Sequence, residues 1–210
     1  LRHEYVAVSI VARGCRNEVS SAPARIVSVD APRPAWAEAH LASWREAYKA
    51  FGAKPQRTPC SAEALWRRLQ RDGTLASINA IVDLYNAVSV RYVVPVGGED
   101  LSAYAGPPRL VRAVGNESFE TTRDGQSALE MVEAGEVVWR DDEGVTCRRW
   151  NWRQTPRTRI SVATTDIWFV LERLEPMPIE ALLQAGESIA EGLRSLAPQA
   201  QISQRLIRKS

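Results

Sequence analysis

The chain has few of the residues on which familiar enzyme signatures depend. Its histidines are His3 and His40, and its cysteines are Cys15, Cys60 and Cys147. The cysteines are widely spaced and odd in number, with no Cys-x-x-Cys, so neither a disulfide framework nor a zinc site is supported. No Gly-x-Ser-x-Gly, Walker loop, Gly-x-Gly-x-x-Gly or His-Glu-x-x-His is present, which argues against the activities those patterns mark. The expectation is a chain without metal or cofactor. No apolar run approaches the roughly 18 residues of a membrane span. The opening Leu1-Arg2-His3-Glu4 does not read as a signal peptide, so a cytosolic, reduced setting is expected. Lysine is confined to Lys49, Lys54 and Lys209, leaving arginine to supply most of the positive charge. Arginine suits phosphate and carboxylate recognition, although a GC-rich genome gives the same bias. A net charge of +2 does not by itself mark a nucleic-acid binder.

The composition is that of a globular protein: 45% hydrophobic and 25% charged over 210 residues, enough for one sizeable core. Residues 4 to 12 read as a strand and 13 to 34 as a connection rich in proline. Trp36, His40, Trp44, Tyr48 and Phe51 recur on one face of a helix over 35–52, which Gly52 stops. His40 on that stripe reads as packed rather than catalytic. Ser61 reads as the N-cap of a second helix, ending near Gly73. A third helix covers 76–92, and Pro95 with Gly97-Gly98 predicts a turn after it. From residue 108 the period becomes two, with short strands at 109–114, 117–120, 136–140 and 145–150. Asp141-Asp142-Glu143-Gly144 reads as a hairpin tip, solvated rather than metal-binding. Residues 166–172 form a buried strand, 178–196 an amphipathic helix, and the rest a polar, basic tail. Helices at both ends around central strands predict an α+β fold, with a mostly antiparallel sheet region and flanking helices. One domain over 1–210 is expected, its core at about 60–172, with an N-terminal helical extension and a C-terminal helix.

Two segments stand out. In the third helix Asn79, Asp83 and Asn86 fall within roughly 60° of one another. Such a polar stripe on an apolar helix needs partners. They are either a neighbouring loop or a ligand. The second segment, residues 147–159, holds Arg148, Arg149, Arg153, Arg157 and Arg159. If extended, it places Trp150 and Trp152 on one face and Arg149, Asn151 and Arg153 on the other. One reading is a tryptophan pair in the core with a solvated arginine face. The other is a surface that stacks on a base and meets phosphates.

Asn79-x-x-Val82-Asp83-x-Tyr85-Asn86, Pro95-x-Gly97-Gly98-x-Asp100-Leu101, Gly135-Glu136-Val137-Val138 and Cys147-Arg148-Arg149-Trp150-Asn151-Trp152-Arg153 together resemble the B3/B4 domain. In the bacterial phenylalanyl-tRNA synthetase beta chain that domain performs editing. The stand-alone version of the family is the better likeness, over about residues 60 to 172. The resemblance implies a pocket beside a sheet that receives the 3′ end of a mischarged tRNA and hydrolyses its ester, with water as nucleophile. The synthetase loop after the proline usually carries a histidine, where this chain has Gly97-Gly98. An acidic pocket residue has its nearest counterpart at Gln154 or Thr155.

On this reading Gly97, Gly98, Asn151 and Gln154 would contact the substrate. Asn79, Asp83, Asn86 and Asp100 would brace the glycine loop, and Arg149, Arg153 and Arg157 would meet RNA. No catalytic side chain is assigned. The expected partner is tRNA or aminoacyl-tRNA, with no membrane. The other reading is a non-catalytic module that binds tRNA or an amino-acid-like small molecule.

Overall fold

The structure is a computed structural model that describes residues 4–16, 33–123 and 125–208. His3, most of the 13–34 connection and Lys209 lie outside the described residues. The fold is α+β. Strand β1 (Tyr5–Arg13) is followed by helices α1 (Ala37–Ala50), α2 (Ser61–Asp72) and α3 (Ala80–Tyr92). Strands β2 (Val96–Asp100), β3 (Arg109–Arg112), β4 (Ser118–Arg123), β5 (Gln126–Met131), β6 (Val137–Arg140), β7 (Val145–Arg148), β8 (Arg153–Gln154) and β9 (Ile167–Leu174) come next. Helix α4 (Ile179–Leu196) and strand β10 (Gln201–Arg208) end the chain.

One antiparallel sheet has the order β10-β1-β9-β2, and a second has β3-β6-β7-β8. Strands β4 and β5 form a separate hairpin. Period two decides what each face of the first sheet buries. Val6, Val8 and Ile10 of β1, with Ile167, Phe169 and Leu171 of β9, form a core with Ile81 and Val82 of α3 and Leu182 and Ile189 of α4. Ala7, Trp168 and Val170 belong to a second core with Trp44 and Tyr48 of α1, Trp66 of α2, and Trp139 and Trp150. Between them the two cores cover both faces, which accounts for the complete burial of β9.

His40 is packed in the second core. Its Nδ1 faces the Val93 carbonyl at 2.9 Å, while Nε2 accepts from Trp44 Nε1 at 2.9 Å. Those partners select the neutral Nδ1–H tautomer. Burial pushes its pKa down to about 4, with Val93 opposing and Arg173 adding to the shift.

Several local expectations change. Gly97 and Gly98 lie within β2, paired with Val170 and Phe169, and make no turn. A Cβ at Gly98 would lie 2.8 Å from Tyr85 Cε1 and 3.0 Å from Ile160 Cδ1, so glycine here admits neighbours rather than bending the chain. Cys60 occupies the N-cap position of α2, and no side chain caps it; Ser61 is already helical. The 149–152 segment is not extended, because Arg149 and Trp150 have φ of 46° and 66°. A tight left-handed turn therefore replaces the alternating faces. The tail forms an edge strand, β10.

Candidate functional site

A cavity of about 220 Å³ lies between the two sheets, closed on one side by α2. Its wall brings together Val96 to Glu99 of β2, Val170 and Glu172 of β9, Trp139 of β6, and the run Trp150 to Gln154. Ser61, Ala64, Leu65 and Arg68 of α2, with Tyr85 and Asn86 of α3, complete it. Segments separated by more than fifty residues thus meet at one hollow.

The cavity is lined by two buried carboxyls. Glu99 accepts from Tyr104 Oη at 2.5 Å. Burial pushes its pKa up to about 7, against hydrogen bonds from Tyr104, Thr158 and Gln154. Glu172 is fully buried and accepts from Tyr5 Oη (3.0 Å), Trp150 Nε1 (2.7 Å) and Asn151 Nδ2 (3.0 Å). Burial raises its pKa too, those three donors opposing. Burial also drives the Cys147 thiol in the wall well above its ordinary value, and Glu99 and Glu172 add to the effect. It is therefore no ready nucleophile at neutral pH. Among the described residues no group of three or more His, Cys, Asp or Glu is placed to hold a metal.

The residues singled out in the sequence divide into three sets. Gly97, Gly98, Asn151 and Gln154 all line the cavity, and Arg153 and Asn86 join them. The polar atoms of Asn151 are largely committed within the protein. Its Oδ1 accepts from Tyr48 Oη at 2.8 Å and its Nδ2 donates to Glu172. Gln154 Nε2 donates to the carbonyls of Gly98 (3.1 Å) and Thr158 (3.0 Å), tying β8 to β2. Both residues shape the hollow.

The expected bracing of a glycine loop does not occur. Asn79 caps α3, its Oδ1 accepting from Val82 N at 2.9 Å. Asp83 holds Ser77 Oγ and the Ile78 amide, on the approach to the same helix. The first bond satisfies an orphan amide of the first turn, and the other two fasten the preceding segment to the helix. Asp100 accepts from Ser102 N and Thr164 Oγ1, fixing the 3-10 turn Leu101–Ala103 and the 161–164 loop.

The three arginines also separate. Arg149 and Arg153 flank the Trp152 ring, with guanidinium carbons 4.5 and 4.3 Å from its centroid. Trp152 is thus engaged by its own neighbours. Arg149 also lines a polar hollow with Lys54 and Arg57. Arg157 is committed elsewhere: it donates to the Ala103 carbonyl at 2.6 Å and to both oxygens of the buried Asp141 at 3.0 Å. Burial alone would raise Asp141, but Arg157 and the Ala105 and Gly144 amides outweigh it and hold the carboxyl at about 2. The hairpin tip expected to be solvated is therefore anchored at Asp141. Arg157→Met should lower stability by about 1.5–3 kcal/mol in urea unfolding, the scale of a charged hydrogen bond. A neutral result would return Arg157 to the surface role.

Sequence reasoning missed Glu99, Glu172 and Trp139. Glu172 had a signal, since it ends the apolar run Ile167 to Leu171. Trp139 had none that sets it apart from any other core tryptophan.

Comparison with known proteins agrees with this architecture. An N-terminal fragment of the phenylalanyl-tRNA synthetase beta-subunit from Pyrococcus horikoshii superposes with a TM-score of 0.50 at 9% identity. The superposition covers 97% of this chain and 50% of that fragment, so this chain spans about half of its length. At that identity the likeness is one of fold. A search of curated proteins finds no sequence match. The B3/4 domain family profile matches residues 43–191, from within α1 to within α4. On that match, the chain belongs to the B3/4 domain family.

Proposed function

We infer that the cavity receives the aminoacyl end of a mischarged tRNA and that the domain hydrolyses its ester. The observation carrying this reading is the convergence of the β2 glycines and the Trp150–Gln154 turn on one hollow, with arginines beside it. Glycines at positions 97 and 98 let Tyr85, Ile160 and Val170 pack directly on the β2 backbone, which sets the shape of that wall. Arg68 and Arg153 line the same cavity and make no ion pair among the described residues, so they are placed to attract a phosphate-bearing ligand. Water is the nucleophile, because no histidine among the described residues lines the cavity and the Cys147 thiol stays protonated. A held water beside an already activated ester needs only positioning and modest proton transfer, together worth several orders of magnitude.

The test is release of amino acid from a panel of mischarged tRNAs. The reading predicts turnover above the buffer rate for at least one of them. No turnover with any would defeat it. The same absence of histidine gives weight to a second reading, a module that binds without hydrolysing. That reading predicts tRNA or aminoacyl-tRNA affinity without turnover. If Arg149 and Arg153 meet phosphates, affinity should fall steeply with salt, whereas a site for a small molecule alone gives a flat response.

A further inference from the structure

Seven acidic side chains are buried among the described residues: Glu63, Asp83, Glu99, Glu117, Glu136, Asp141 and Glu172. Four have an arginine. Glu63 has Arg45 and Arg67, Glu136 has Arg148, Asp141 has Arg157, and Glu117 has Arg140 at 3.8 Å. Asp83 is served by Ser77 and the Ile78 amide at a helix start. Glu99 and Glu172 remain, and both line the cavity. Their partners are neutral donors, and neither makes an ion pair with an arginine or lysine among the described residues. A buried carboxylate without a cation is costly, and at four of the other five sites an arginine offsets that cost.

A second observation concerns donors. Trp139 is 8% exposed, its Nε1 is fully buried, and that atom has no hydrogen-bond partner among the described residues. It lies near enough to Glu172 to favour the carboxylate, yet outside hydrogen-bond geometry. Ser61 Oγ, at the start of α2, is likewise buried without a partner. Trp139 and Ser61 both belong to the cavity wall. Among the described residues the hollow therefore offers two carboxyls without an ion pair and two donors without a hydrogen-bond acceptor. Tyr85 and Trp150 add aromatic surface to the same wall, which also suits a cation.

We propose that this cavity recognises the α-ammonium and adjacent carbonyl of an aminoacyl group, Glu99 and Glu172 taking the ammonium and Trp139 Nε1 with Ser61 Oγ donating to the carbonyl oxygen. An α-amino ester carries that donor–acceptor pair on neighbouring atoms, whatever its side chain. Ligands are thus selected for a free amino group, and N-acylated or deaminated equivalents are rejected. The proposal rests on the reading of the cavity as an aminoacyl site, but it concerns binding and does not require hydrolysis.

The experiment uses 3′-amide-linked aminoacyl-adenosines, which cannot be hydrolysed as esters, with a range of side chains. Each is paired with its N-acetylated form. Affinities are measured by calorimetry on the full chain. At least one free-amine member should bind, and N-acetylation should weaken it tenfold or more. Glu99→Gln and Glu172→Gln should narrow that gap, while Trp139→Phe should weaken both forms alike. Equal affinity of free and acetylated pairs in the wild-type protein overturns the proposal without relying on any variant. Amine-selective binding with no turnover of mischarged tRNA defeats the deacylase and sustains the recognition. Turnover with no amine preference does the reverse. If no member binds, the recognition falls, and turnover of mischarged tRNA decides the deacylase separately.

Discussion

Replacing Trp150 with alanine is expected to remove about 3–5 kcal/mol of stability, the range for truncating a buried tryptophan. Trp150 is 2% exposed, and its ring packs edge-on against Trp44 at 5.0 Å and tilted against Tyr5 at 5.5 Å. It also donates to Glu172 at 2.7 Å, so truncation strips a buried carboxyl of one of three donors. The two losses reinforce each other, because a buried acceptor that loses its donor bears a desolvation cost. Trp150→Phe separates them. It keeps most of the packing and loses the hydrogen bond, so its cost should be about 1–3 kcal/mol. Denaturant unfolding of both variants is the check. A loss below about 1 kcal/mol for the alanine variant would mean that the tryptophan does not anchor the cavity floor.

The second large effect is on pH dependence. Burial raises Glu99 from 4.5 to about 7, so the folded state holds a proton that the unfolded chain gives up. Stability from this group is complete below pH 4.5 and is lost as pH rises through 7. The difference corresponds to about 3 kcal/mol at roughly 1.4 kcal/mol per pH unit. Between pH 4.5 and 8, Glu99→Gln should therefore gain about 3 kcal/mol relative to wild type, or roughly 6–12 °C in Tm for a chain of this size. The comparison must be made as a difference between the two proteins. His40 works in the opposite sense: held down to about 4, it adds stability as pH rises from 4 towards 6.5. Both proteins share that contribution, so it cancels in the difference. A pH-independent difference would show that Glu99 titrates at an ordinary carboxyl value.

Helices α1, α2 and α4 were legible because each carries an apolar stripe at helical spacing beside a recognisable stop. Strands β1 and β9 were legible as apolar runs. Strand β10 was not, because an exposed edge strand such as Gln201–Arg208 lacks the apolar face that marks a strand. Gly97-Gly98 misled for a physical reason. Paired glycines signal a turn when their conformational freedom is used, but here their missing side chains are used, to admit Tyr85, Ile160 and Val170. The left-handed turn at Arg149 and Trp150 has no signature in non-glycine residues. The sequence pointed to the segments that line the cavity, yet not to the chemistry inside it. Asn151 and Gln154 reach the wall with their amides already engaged. Carboxylates in strands read as solvent-facing; Glu172 carried only the hint of ending an apolar run, and nothing in the spacing of Glu99 reveals that it turns inward.

The most direct measurement is deacylation of mischarged tRNA by the wild-type protein and by Ala64→Trp. Ala64 sits on the α2 wall of the cavity, half-buried, so an indole there fills the hollow while the helix is retained. The account predicts turnover by wild type and at least a tenfold loss in the filled variant, with the unfolding midpoint little changed. Equal turnover by the two proteins would place the chemistry outside this cavity.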